Sequence, residues 1–199
     1  MPVLPIVHVP DPVLRQVCLP VRQIDDDIRQ LAADMLDTMY AAPGRGLAAP
    51  QVGIALRLFV MDPTWRDGIP APRVCVNPEI LAVSDHDATR DEGCLSIPGI
   101  PVRVTRPAEI TLRWTDLSGV VLEERLTGFA ATAAQHEYDH LNGRLILDLM
   151  DEPARRAVSL RLAAAALPSI LASSDCVGGA NRRLRHAGLR GRAAGRVKR

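Results

Sequence analysis

Ala130-Ala131-Thr132-Ala133-Ala134-Gln135-His136-Glu137-Tyr138-Asp139-His140-Leu141 is the stretch around which the rest of the chain is read. It has no internal Gly or Pro and runs into Asn142-Gly143, so it predicts a helix that stops there. Residues four apart share a helical face, which lets His136 and His140 present their imidazoles to a single ion. Glu137 follows the first imidazole and can reach a water on that ion. The HExxH pattern also occurs on solvated helix faces without metal, so by itself it is moderately specific.

The segments flanking this helix set the fold class. Upstream, Asp25-Asp26-Asp27 precedes an apolar series at Ile28, Leu31, Met35 and Met39, with Leu36 on the same stripe. That spacing, with acids at the amino end, predicts an amphipathic helix ending near Pro43-Gly44. Strand-like segments follow at Leu56–Met61, Arg73–Val76, Ile80–Val83, Pro101–Val104 and Ile110–Trp114. The last joins Val120–Leu126 through Asp116-Leu117-Ser118-Gly119, an antiparallel hairpin pattern. Downstream, Pro153 opens a helix over Ala154–Leu167 that Pro168 closes. A block of strands with helices before and after it, and no alternating parallel crossovers, predicts an α+β domain.

Composition narrows the class further. The 199 residues are 47% hydrophobic and 24% charged, as in an ordinary globular domain. No apolar run approaches the roughly 18 residues of a membrane span. Met1-Pro2-Val3-Leu4-Pro5 lacks the basic region and apolar core of a secretory signal, so the expected location is the cytoplasm. Cys18, Cys75, Cys94 and Cys176 are dispersed and show no CxxC pairing. A special cysteine among them is therefore a ligand or nucleophile before it is a disulfide partner. Residues 181–199 hold seven Arg and one Lys with no acid, and subtracting their +8 from the net +1 leaves −7 on residues 1–180. Residues 176–199 thus read as an Arg-rich, disordered tail behind a catalytic domain at 1–175.

A catalytic metal site needs a third protein ligand and an open position for water or substrate. Glu92-Gly93-Cys94-Leu95-Ser96 offers the best candidate, Cys94, beside a glycine that allows close backbone approach. Cys18, Cys75 and Cys176 read as small hydrophobes. Gly44-Arg45-Gly46-Leu47-Ala48-Ala49-Pro50-Gln51-Val52-Gly53 matches neither a phosphate loop nor a dinucleotide fingerprint. It could be a plain helix-to-strand connection, or it could offer a peptide an exposed backbone edge and the carboxamide donor of Gln51.

Taken together and in order, Gly44–Gln51 (GxGLAAxQ), Glu92–Ser96 (EGCLS) and Gln135–His140 (QHExDH) resemble the three signature motifs of the peptide deformylases. The likeness extends from Val7-His8-Val9-Pro10-Asp11-Pro12 to Asn142-Gly143 and Asp148, over roughly residues 5–165. It implies antiparallel β-sheets packed around a central helix carrying the metal motif, with an N-terminal and a C-terminal helix. It also implies a metal-dependent hydrolase that removes the N-formyl group from the starting methionine of new proteins and releases formate. On this resemblance Cys94, His136 and His140 would hold the metal and Glu137 would serve as general base and then acid. Gln51 and the backbone N–H of Leu95 would stabilise the oxyanion. The main chain at Arg45–Gly46 and Gly93 would pair with the peptide. The ligand types fit zinc; the resemblance suggests Fe2+, with Ni2+ or Co2+ as working substitutes for it.

Two places depart from the family pattern. Arg45 stands where an apolar residue is common, and Thr132, Ala133 and Ala134 are smaller than usual. Being four and three residues before His136, Thr132 and Ala133 should line the pocket for the methionine side chain, with Phe129 refilling part of the space. A metallopeptidase acting on ordinary peptide bonds would use the same helix but would leave the other two motifs without a role. A non-catalytic ribosome- or RNA-binding protein would account for the arginine tail but not for Glu137 and Gln51. The tail could equally be a solubilising extension.

Overall fold

A computed structural model describes residues 3–166. Two helices face opposite sides of one sheet. Helix α1 (Asp26–Ala41) starts at Asp25, whose carboxylate accepts the Ile28 N–H at 3.1 Å, and it ends just before Pro43 as the sequence predicts. Helix α2 (Gly128–Leu141) carries HExxH and begins two residues earlier than expected. It stops where Gly143 takes φ 69°, a left-handed conformation that glycine adopts without steric cost. A Cβ there would also lie 2.5 Å from the Arg15 carbonyl oxygen. Helix α3 (Glu152–Ala166) follows Met150-Asp151 and begins two residues earlier than expected, with Pro153 inside its first turn; the expected stop at Pro168 lies outside the described residues.

Among the described residues, β1 (Gly46–Ala48), β2 (Leu58–Met61), β3 (Arg73–Val83), β6 (Glu109–Thr115) and β7 (Val121–Thr127) form an antiparallel sheet. Its order is β1-β2-β3-β6-β7, so β1 is an edge strand. Successive side chains on a strand point to opposite faces, and β2 shows how this serves two helices. Leu58 and Val60 join Met35 and Met39 of α1, while Phe59 and Met61 join Ala131, Ala134 and Leu141 of α2. Both faces of β2 are fully buried, so Phe59→Ala would cost about 3–5 kcal/mol.

β4 (Asp87–Cys94) and β5 (Ile97–Pro107) form a separate hairpin. Its apolar face, including Ile97, Ile100, Val102 and Val104, packs on Leu14, Leu145, Ile146, Leu147 and Val158. Two sequence expectations change here. Arg73–Val76 and Ile80–Val83 belong to one strand, bent by a register shift between Val76 and Glu79. Asn77 sits at this bend with φ 49° and clamps Val21 through bonds of 2.9 and 2.8 Å to its N–H and carbonyl. β4 was not expected, because Asp-Ala-Thr-Arg-Asp-Glu-Gly-Cys has almost no apolar alternation. Cross-strand pairing with β5 defines it, including Thr89 and Thr105 hydroxyls 2.9 Å apart. The α+β class and the antiparallel sheets around the HExxH helix are otherwise as the sequence and the resemblance imply. The tail at 176–199, with Cys176, lies outside the described residues.

Candidate metal centre

α2 is buried almost all round. Of its fourteen residues, Gly128, Phe129, Ala130 and Tyr138 escape full burial. Such a helix is a core helix, so imidazoles and carboxyls on it must find partners inside the protein. His136 and His140 lie one turn apart with ring centroids 5.0 Å from each other. Cys94 ends β4, and its Sγ is 3.4 Å from His140 Nε2. Single donor atoms of Cys94, His136 and His140 all fall within 4.8 Å of one another, and all three residues are buried. One ion can bridge them.

The surroundings of His136 fix which nitrogen is offered. Its Nδ1 is 2.9 Å from Glu92 Oε2. Glu92 accepts two bonds from Arg106, at 2.6 and 3.0 Å, and Arg106 also donates to Asp139 at 2.7 Å. Burial pushes the Glu92 carboxyl upward, but the bonds from His136 and Arg106 outweigh it and hold the group below its ordinary value. An ionised carboxylate only accepts, so Nδ1 donates to Glu92 and Nε2 is the nitrogen open to a metal; burial lowers the His136 pKa, but the bonds to Cys94 and Glu92 outweigh it and raise it to about 10, so a metal there would displace a proton from Nε2. Burial holds His140 well below the usual imidazole value, keeping it in the neutral, ligating form.

Glu137 lies beside this triad. Burial pushes its carboxyl up to about 7, the range that suits a proton carrier at neutral pH. Its Oε2 and the Nδ1 of His140 are the buried side-chain atoms that lack a hydrogen-bond partner among the described residues. An unpaired buried acceptor next to two imidazoles and a thiol is what a site built for an ion and a water would contain. Gly46 is required by the same carboxylate, since a Cβ on it would lie 2.2 Å from Glu137 Oε1.

Gln51 is placed by β1 and the short 3-10 turn that follows at Ala49–Val52. Its Oε1 accepts the Ala48 N–H at 2.8 Å, which turns Nε2 toward Cys94 Sγ at 3.5 Å and Ser96 Oγ at 3.2 Å. The N-terminal segment ties the two loops together: Val7 N–H donates to the Gln51 carbonyl at 2.8 Å and Val9 N–H to the Ser96 carbonyl at 3.1 Å.

A cavity of about 650 Å³ opens from this centre. Arg45, Gly46, Gly93, Leu95, Phe129, Thr132 and Ala133 all line it, together with Gln51, Cys94, His136 and Glu137; His140 lies behind them. Every site residue expected from the sequence thus falls at one place. Cys18 and Cys75 are buried in the apolar cluster under the sheet, as expected of plain hydrophobes. The sequence reading missed Arg106, the role of Glu92 and Ser96. An inward-facing Asp139, three residues after His136 on the same helix, was the available sign that a buried cation had to come from elsewhere.

The Polypeptide deformylase family model matches residues 3–156. The peptide deformylase of Mesorhizobium japonicum is 47% identical over 158 residues, covering 79% of this chain and 90% of that one. The peptide deformylase of Afipia carboxidovorans is 48% identical over 166 residues, covering 83% and 97%. Among solved structures, the peptide deformylase of Ehrlichia chaffeensis in complex with actinonin superposes with a TM-score of 0.79 at 36% identity, covering 84% of this chain and 99% of that one. The Thermotoga maritima peptide deformylase gives 0.72 at 42% identity, covering 76% and 99%.

Proposed function

The chain belongs to the peptide deformylase family, and from that premise we propose the roles its residues play in removing the N-formyl group from nascent peptides. The observation that carries the assignment is the convergence of Cys94, His136 and His140 beside the unpaired carboxylate of Glu137. The protein is a metal-dependent hydrolase, and Cys94 Sγ with one nitrogen from each imidazole would hold a single divalent ion. When bound, such an ion supplies Lewis acidity and lowers the pKa of a coordinated water toward about 7.

The chain's own groups supply the remaining functions. Glu137 takes a proton from the attacking water and returns it to the amine that leaves with the peptide. Its raised pKa, near 7, makes both transfers accessible at neutral pH. Gln51 Nε2, held by the Ala48 N–H, donates to the oxyanion that develops on the formyl oxygen, and the Leu95 N–H is assigned as the second donor. One such donor is worth about 3 kcal/mol. Glu92, clamped by Arg106, keeps His136 in the tautomer that presents Nε2.

Substrate binding follows from β1. Asp62 N–H donates to the Arg45 carbonyl at 3.0 Å, so Arg45 and Leu47 bond toward β2. In antiparallel pairing the intervening residue then directs its N–H and C=O the other way. Gly46 therefore offers both groups to an incoming strand at the free edge, with Gly93 on the facing wall. Thr132, Ala133 and Phe129 take the methionine side chain.

Fe2+ is the ion the family resemblance points to. The donor set also suits Zn2+, Ni2+ and Co2+. No described helix is long and apolar enough to cross a membrane, and we place the reaction in the cytoplasm, where new chains emerge. Residues 181–199 carry +8 and are assigned to salt-sensitive contact with ribosomal RNA. Deleting them should abolish ribosome co-sedimentation and leave turnover of a short formyl-peptide intact. Equal sedimentation of both forms would reduce the tail to a solubilising extension.

The test of the activity is formate release from formyl-Met-Ala-Ser by anaerobically prepared protein, with metal content measured on the same sample. One ion per chain and formate in proportion to it are expected. Cleavage of an unformylated internal peptide instead would make the protein a metallopeptidase.

A further inference from the structure

Two arginines, Arg45 and Arg66, line the cavity near the amino end of β1. Arg45 immediately precedes β1, and its guanidinium lies 5.0 Å from the centroid of the Phe129 ring. Phe129 itself is 44% exposed. One Arg45 nitrogen, Nη1, donates to the Pro63 carbonyl and to Asp67, the latter at 3.2 Å. Its other nitrogens take part in no hydrogen bond among the described residues. Arg66 also lines the cavity, is exposed, and rests against the Trp65 ring at 5.4 Å. It makes no ion pair among the described residues. The turn that carries it is fixed to the same end of β1, because Trp65 Nε1 donates to the Gly44 carbonyl at 2.8 Å.

The direction of the substrate follows from this arrangement. Gln51 and Cys94 mark the reacting end, beyond the carboxyl end of β1, and Gly46 marks its amino end. A peptide whose formyl group lies at Gln51 and whose backbone pairs with Gly46 must run antiparallel to β1. At about 3.4 Å per residue, the residues after methionine then pass Gly44–Arg45 and the turn at Trp65–Asp67. The acids nearby are already engaged or removed from this wall. Asp67 faces Arg45, Asp91 on the opposite rim lies 3.9 Å from Arg103, and Glu92 is clamped by Arg106 at the base. With Arg45 paired to Asp67 and Asp91 beside Arg103, the uncommitted charge along the exit path is that of Arg66, next to the Arg45 N–H groups that Asp67 does not use.

We propose that Arg45 and Arg66 are specificity-determining residues that favour formylated substrates with an acidic side chain at the second or third position. This rests on the deformylase reading of the site. The ligand chemistry is a carboxylate, presented to guanidinium donors with free N–H groups. Because the rim is solvated, each arginine contributes a modest factor, roughly three- to tenfold, and the preference weakens with salt.

The experiment compares kcat/KM for formyl-Met-Glu-Glu-Ala, formyl-Met-Gln-Gln-Ala and formyl-Met-Lys-Lys-Ala, all as C-terminal amides so that no terminal carboxylate competes. The metal-loaded full chain is used at low and at high ionic strength. At low salt the Glu peptide is expected to exceed the Lys peptide by at least about tenfold, mainly through KM, and high salt should compress the ratio. Arg66→Ala and Arg45→Met should each bring it toward one, and Arg66→Lys should restore part of it. A purely structural Arg45, holding Pro63 and Asp67 in place, would instead lower all three rates together and leave the ratio intact, which would overturn the proposal for Arg45. Equal rates for the three peptides, or a preference for Lys set by Asp91, would overturn it for both. A preference that appears only with free carboxyl termini would assign the arginines to the chain terminus and not to side chains, again against the proposal. Absence of formate from every peptide would count against the deformylase reading itself.

Discussion

At the deep end of the cavity His136 is 8% exposed and held by Glu92 at Nδ1, with Arg106 and Asp139 behind that carboxylate. At the mouth, Phe129 is 44% exposed, and Arg45 and Arg66 hold it and Trp65 by ring contacts that water can reach. The two ends share one helix, since Phe129 and His136 are both on α2. They differ in dielectric surroundings. An unpaired ion at the deep end costs several kcal/mol, so its residues are mutually constrained. A change at the mouth is screened and leaves the chemistry alone.

The largest expected effect is at Glu137. Glu137→Gln keeps the shape of the side chain and should retain the metal, while formate release falls by about 10²–10⁴-fold. Metal loss in that variant would make the carboxylate a ligand and dissolve the division of roles. Gly46→Ala should reproduce much of the loss by displacing the same carboxylate, whose Oε1 would be 2.2 Å from the new Cβ.

Next comes Arg106→Met, which leaves Glu92 and Asp139 buried without their cation. Stability by chemical denaturation should drop by about 3–5 kcal/mol, with metal affinity lowered about 10–100-fold through His136. The linkage has a definite sign. Glu92 is held below its unfolded value in the native protein, so it contributes stability that is present above the ordinary carboxylate pKa and lost as pH falls through the depressed one. Arg106→Met should remove that contribution, flattening the acid side of the stability profile. An unchanged profile would show that the buried pair is not what couples the site to pH.

Gln51→Ala should retain metal and lose turnover by about 10²–10³, read as kcat with little change in KM. Smallest is Thr132→Ile at the boundary between the two ends. Restored bulk should shift the formyl-Phe to formyl-Met rate ratio toward Met by roughly tenfold at constant metal content. A constant ratio would move Thr132 out of the substrate wall and place the border of the permissive region further out, at Phe129.

HExxH was legible in the sequence because two imidazoles four apart need a helix, and the helix stop needs a residue such as Gly143. GxGLAAxQ and EGCLS took their roles only from the family resemblance. The same local logic found α1 from its apolar stripe and the β6–β7 hairpin from its turn, where Asp116 Oδ1 accepts the Ser118 and Val120 N–H groups at 2.8 and 2.9 Å. β4 escaped it because a polar strand without apolar alternation is defined by its pairing, here with β5 directly after it, and not by its own residues. Arg106 escaped for the same reason: a lone arginine in a strand reads as surface until Glu92 and Asp139 are seen to close around it.

The sequence by itself determined the fold class and the two imidazoles that share a helical face, since these depend on periodicity and short spacings, while the reaction was read from the resemblance of three motifs to one family. Only the tertiary structure decided which nitrogen His136 presents, that Gly46 faces the Glu137 carboxylate, and that the path out of the cavity runs past two arginines. Those facts depend on distances between segments tens of residues apart. Such distances are set by how β1, β4 and α2 pack against one another, and no local pattern encodes them.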